Sequence, residues 1–149
     1  MLRAGIGKRL PAIASTWLPE DEYDAAPVAA RLSVKNMATS GFATWELHWR
    51  AAGDKGPAIR IARNADLSDL QMEKEELRRI ATSDPVKQAI QRATEVISFD
   101  IQLSDTKQSM AWPVAMSAAA WLADAGKGVL YAKDEGWFEP SATDLKQLA

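Results

Sequence analysis

From residue 28 to residue 63, apolar and polar positions largely alternate. Val28, Ala30, Leu32 and Val34 alternate with Arg31, Ser33 and Lys35. Ala43, Trp45, Leu47 and Trp49 alternate with Thr44, Glu46, His48 and Arg50, and Ile59 and Ile61 flank Arg60. Successive side chains of a strand point to opposite faces, so a period of two predicts three strands, each with one apolar and one polar face. Ser40-Gly41 and Gly53-Asp-Lys-Gly56 supply turns between them. Short turns join antiparallel neighbours, and strands polar on one side belong to a sheet covered on one face only.

The period then lengthens. Asp66 stands where an N-cap would, and Leu70, Leu77 and Ile80 or Ala81 recur at helical spacing. Glu75 and Arg79, four residues apart, mark the outer side of that helix. Thr82-Ser-Asp-Pro85 ends it and opens a second, whose stripe is Val86, Ala89, Ile90 and Ala93. Alternation returns over 95–103. Ile97, Phe99, Ile101 and Leu103 face one way; Val96, Ser98, Asp100 and Gln102 face the other. A third helix starts at Ser109 or Trp112, tolerates Pro113 in its first turn, and buries Val114, Ala118, Trp121, Leu122 and Ala125. Gly126 and Gly128 are placed for a left-handed C-terminal cap. Val129 to Ala132 reads as a strand, Lys133-Asp-Glu-Gly136 as a turn, and Trp137-Phe138 as a brief pairing partner. The tail from Ser141 reads as a last short helix.

This order predicts an α+β fold: a single antiparallel sheet of about five strands, starting as a meander, with two to three helices on one face. The domain spans 27–149. Residues 1–26 read as an N-terminal segment or linker with room for a short helix. Arg3, Lys8 and Arg9 precede an apolar run, but Pro11, Ser15 and Thr16 interrupt it, and the Glu20, Asp21, Glu22 and Asp24 patch that follows is no cleavage site for a secretory leader.

Composition narrows the function. A chain of 149 residues suits one domain. Its 18 basic and 20 acidic residues give a net charge of −2, which lacks the basic footprint of a dedicated nucleic-acid binder. There is no cysteine, so disulfides, thiolate nucleophiles and iron–sulfur clusters are excluded, and a reducing cytoplasm is the expected location. A single histidine excludes a His-rich metal site. No apolar run reaches the roughly 18 residues that a membrane-spanning helix needs. The sequence calls for no metal and no cofactor.

Three groups of residues could carry function. His48 shares the polar phase of its strand with Glu46, and Ser98 and Asp100 share that of the late strand. Were those strands neighbours, a Ser/His/Asp cluster on the open sheet face would be conceivable, although no G-x-S-x-G elbow accompanies it. The simpler reading is a solvated histidine. Gly5-Ile-Gly7-Lys8 is too short for a phosphate loop. Asp134, Glu135 and Glu139 flank Trp137 and Phe138 in a turn; no companion motif makes this a magnesium site. Among six tryptophans, Trp17, Trp112 and Trp137 sit at element ends beside polar residues, a composition found at protein–protein hot spots as well as at core ends.

The stretch from Val96 to Glu139 runs as a strand, a polar loop, the small-residue helix Trp112-Pro-Val-Ala-Met-Ser-Ala-Ala-Ala-Trp-Leu-Ala123, then Gly128-Val-Leu-Tyr131 and Asp134-Glu-Gly-Trp-Phe138. It resembles the closing half of small cytoplasmic bacterial α+β proteins, among them immunity proteins that guard against interbacterial toxins. The resemblance implies a non-enzymatic binding module whose partner is a cognate protein toxin. The contact surface is expected around Asp134, Glu135, Trp137 and Glu139, with Glu20, Asp21 and Glu22 as a second. Two other readings stand beside it. One is a small enzyme or ligand-binding domain on the polar sheet face around His48, Ser98 and Asp100; the other is an accessory protein that self-assembles.

Overall fold

The computed structural model describes residues 2–17, 29–39, 42–48, 59–64, 67–101, 111–133, 135–141 and 144–148. Helix α1 covers Leu2–Trp17. A helical turn at 29–31 leads into strands β1 (Ser33–Thr39), β2 (Phe42–His48) and β3 (Ile59–Asn64). Helices α2 (Leu67–Ile80) and α3 (Asp84–Arg92) precede β4 (Val96–Ile101). Helix α4 (Ala111–Gly126) is followed by β5 (Leu130–Ala132), β6 (Gly136–Pro140) and β7 (Leu145–Gln147).

The α+β class holds, but the single sheet does not. There are two antiparallel sheets, one ordered β1-β2-β3-β4 and one ordered β5-β6-β7. The meander of three alternating stretches pairs as its turns imply, and β4 adds to its far edge. The first stretch starts later than the alternation suggested. Residues 29–31 are helical, Arg3 donates to the carbonyl of Ala30, and pairing begins at Ser33. The last expected helix is instead β7, which pairs with β6.

The two sheets share the α1–α4 layer. Leu2, Ile6, Leu10 and Ala14 of α1 join Val114, Ala115 and Ala118 of α4 against Leu47, Ile59 and Ile61 of the first sheet. Ile13 of α1 joins Met116 and Ala120 of α4 against Leu130, Ala132 and Phe138 of the second. Both helices are therefore buried on more than one side, which small residues at 115, 118, 119 and 120 allow. Buried Ser117 satisfies its hydroxyl by donating to the carbonyl of Pro113 at 2.7 Å. The opposite face of the second sheet is covered by α2 and α3, where Ala81, Val86 and Ile90 enclose Trp137. Packing thus settles the choice between Ile80 and Ala81: Ala81 is buried and Ile80 is 43% exposed.

Helix α1 is longer than the short helix expected, and it is core rather than linker. Read by run length, Pro11, Ser15 and Thr16 interrupt its apolar stretch; read at helical spacing, positions 2, 6, 10, 13 and 14 form one stripe. Pro11 lies on the exposed side, where losing one helical N–H donor costs least. Arg9 is buried with its guanidinium on Asp124 of α4, Nη2 to Oδ2 2.9 Å, and this pair locks the helices together. Lys74 of α2 does the same for α3: its buried ammonium donates to the carbonyls of Gln91 at 2.9 Å and Ala93 at 3.0 Å, at the negative end of that helix.

Candidate functional site

The β5–β6 hairpin holds most of the predicted contact residues. Its register pairs Leu130 with Phe138 and Tyr131 with Trp137. Alternation then sends Leu130 and Phe138 toward α1 and α4, and Tyr131 and Trp137 to the opposite face. The turn closes with Glu135 N–H donating to the carbonyl of Ala132 at 3.0 Å, and Gly136 takes φ 111°, a conformation open to glycine.

Trp137 is 4% exposed, inside the α2–α3 cluster. The structure thus moves it from the expected contact surface into the core. Its indole Nε1 is buried without a hydrogen-bond partner among the described residues. What reaches solvent is Tyr131, 36% exposed, with its ring centroid 4.9 Å from that of Trp137 and tilted by 40°. Tyr131 is therefore held on a rigid floor, the condition under which an aromatic ring loses little entropy on binding. It is the residue that the sequence reading missed. Its signal was the hairpin register: a four-residue turn at 133–136 would set residue 131 opposite residue 138, but Gly136 pairs with Ala132, which shortens the loop to three residues and sets Tyr131 opposite Trp137.

Of the acids, Glu135 is exposed at the turn, and its backbone carbonyl accepts from Gln147 Nε2 at 2.9 Å. Glu139 lies on the Trp137 face of β6 and pairs across the sheet with Lys146, Oε1 to Nζ 3.5 Å. Asp134, Glu20, Asp21 and Glu22 lie outside the described residues. So Tyr131, Trp137, Glu139 and Lys146 occupy one face of the second sheet, with Glu135 at its tip.

The polar face of the first sheet gives the other candidate group. His48 Nε2 lies 3.4 Å from Glu46 Oε2, and Arg60 Nε lies 3.8 Å from Glu46 Oε1. Ser98 pairs in register with Ala62 and Asp100 with Arg60, both on β3. Strand β3 therefore stands between His48 and the two β4 residues, a lateral separation of about 10 Å. The neighbouring strands that a Ser/His/Asp cluster requires are absent, and the imidazole's partner is a glutamate of its own strand. Among the described residues, no three His, Asp or Glu side chains are grouped to hold a metal ion. No described helix is long and apolar enough to cross a membrane.

Comparison with protein-family models, curated proteins and solved structures finds no match to this chain.

Proposed function

We propose that this protein is a non-enzymatic protein-binding module, of the immunity type, that neutralises a cognate bacterial toxin by direct contact. The observation that carries this reading is the exposed Tyr131 ring seated on buried Trp137, with Glu135 and the Glu139–Lys146 pair around it. A rigid aromatic anchor with a polar rim is the arrangement that concentrates binding energy at protein interfaces. The acids give the rim a sign suited to a basic, substrate-binding cleft on the partner, where complementary potential raises the rate of encounter. The immunity class comes from the likeness of the Val96–Glu139 stretch to such proteins.

The test is affinity capture of the tagged full chain from its native cells, run in parallel with Tyr131→Ala. The expected result is a stoichiometric partner bearing a toxin-like catalytic domain, bound about tenfold or more weakly by the variant, with the variant's fold unchanged. Recovery of the protein alone, or a partner retained equally by Tyr131→Ala, overturns the reading.

A further inference from the structure

The registers of the first sheet align four charged residues in one transverse row. Lys35 on β1 pairs with Glu46 on β2, Glu46 with Arg60 on β3, and Arg60 with Asp100 on β4. Pairing partners share a face, so all four project from the side opposite the core, where Leu47, Ile59 and Ile61 are buried. The signs run plus, minus, plus, minus across the full width of the sheet. Lys35, Arg60 and Asp100 are exposed, and Glu46 is partly covered by His48 and Arg60. The rows on either side carry no such charge where they are described: Ser33 pairs with His48, and Ala62 pairs with Ser98.

Such a row is complementary to its own reverse. From this we infer that the open face of the first sheet is a self-association surface, and that its occupant is a second copy of this chain. A two-fold axis along the strands lays the second copy face to face with its row reversed. Lys35 then meets Asp100 of the second copy, Glu46 meets its Arg60, and both contacts recur by symmetry. A two-fold across the strands would instead set every charge against its own like. The charges thus select one orientation, the aligned one in which sheets usually pack. The face is four strands wide, so pairing buries roughly 400 Å² per copy, below a standard interface. The dimer is accordingly weak and salt-sensitive, with charge setting its geometry. It uses a different sheet from the Tyr131 surface and does not depend on the toxin-binding reading.

Sedimentation equilibrium of the full chain tests this. The expected dimer has a Kd on the order of 100 µM at low salt and weakens about tenfold by roughly 0.5 M salt. Lys35→Glu alone, or Asp100→Lys alone, creates two like-charge contacts and should lower dimer affinity about tenfold or more. Mixed in equal amounts, the two variants present four opposite pairs and should associate at least as tightly as the parent. Glu46→Arg mixed with Arg60→Glu obeys the same arithmetic at the row's centre. Both ends of the row are exposed, so the first pair leaves the fold intact, checked by circular dichroism. A chain that is monomeric at about 1 mM in low salt overturns the proposal. So does a mixture that fails to restore association, because a row that serves only pairing within its own sheet gains nothing from mixing.

Discussion

Gly5 of α1 lies against the indole of Trp121 on α4, so close that a Cβ at residue 5 would overlap the ring atoms Cδ1, Cγ and Nε1. Two helices approach this nearly only where one of them lacks a side chain. The overlap reaches Cγ, which rotation of the indole about its Cβ–Cγ bond leaves in place.

Gly5→Ala should therefore destabilise the protein, although alanine is the better helix former. Overpacking costs about 1–3 kcal/mol, and the propensity gain of about 1 kcal/mol offsets only part of it. In a Trp121→Ala background the clash is gone, so the same change should stabilise by up to about 1 kcal/mol. Denaturant melts of the four proteins in this cycle decide it. A Gly5→Ala effect of equal sign in both backgrounds would remove the close approach as its cause.

The Arg9–Asp124 pair is asymmetric: the Arg9 side chain is 4% exposed and that of Asp124 is 58% exposed. Asp124→Ala leaves a buried guanidinium with the Ser141 carbonyl, 3.5 Å from Nη2, and with an Nε that has no partner among the described residues, and should cost about 2–4 kcal/mol. Arg9→Met removes the buried charge and keeps the apolar stem, so it should cost less. The order of the two in urea unfolding is the check. A larger loss for Arg9→Met would mean that the guanidinium's hydrogen bonds outweigh its desolvation.

Trp137 and Tyr131 should separate fold from binding. Trp137→Ala empties the α2–α3 cluster and should cost about 3–5 kcal/mol. Trp137→Phe keeps a ring and removes an indole N–H that has no partner among the described residues, for less than about 2 kcal/mol. Tyr131→Ala, at an exposed site, should cost about 1 kcal/mol or less. Thermal melts rank the three. A mild Trp137→Ala would place the indole outside the core.

Helix α4 ends with Gly128 N–H donating to the carbonyl of Ala123 at 2.8 Å and Lys127 N–H to that of Asp124 at 3.3 Å. The left-handed residue in this cap is Lys127, φ 53°, between two glycines. A left-handed non-glycine residue costs about 1–2 kcal/mol, and glycine's greater freedom in the unfolded chain returns part of it. Lys127→Gly should therefore stabilise by about 0.5–1 kcal/mol, while Lys127→Ala should do almost nothing. Equal effects of the two on the melting midpoint would assign the change to the lost charge instead.

That cap shows how legible the chain was. Gly126-Lys-Gly128 announced a left-handed C-terminus, yet which of the three residues adopts it depends on where the helical bonds stop. The candidate site was legible to a similar depth. The aromatic and acidic turn at 133–139 could be found from composition and turn chemistry. The division of labour between Trp137 and Tyr131 could not, because it depends on which face of the hairpin α2 and α3 cover.

Local pattern alone determined the strands β2, β3 and β4, the helices α2, α3 and α4, the Pro85 helix start and the α+β class. Those features follow from residue spacing and backbone chemistry within a few positions of each other. The tertiary structure decided how many sheets there are. Val129–Ala132 is β-prone in either sheet, but Met116 and Ala120 bury a second side of α4, so that helix carries a sheet on each side. It also decided β7, whose Lys146 and Gln147 have no strand pattern of their own. Pairing with the free edge of β6 makes them a strand, and Leu148 N–H extends that pairing to the carbonyl of Trp137 at 2.8 Å. Burial and pairing across distant segments are cooperative, so they override any preference that three residues can express locally.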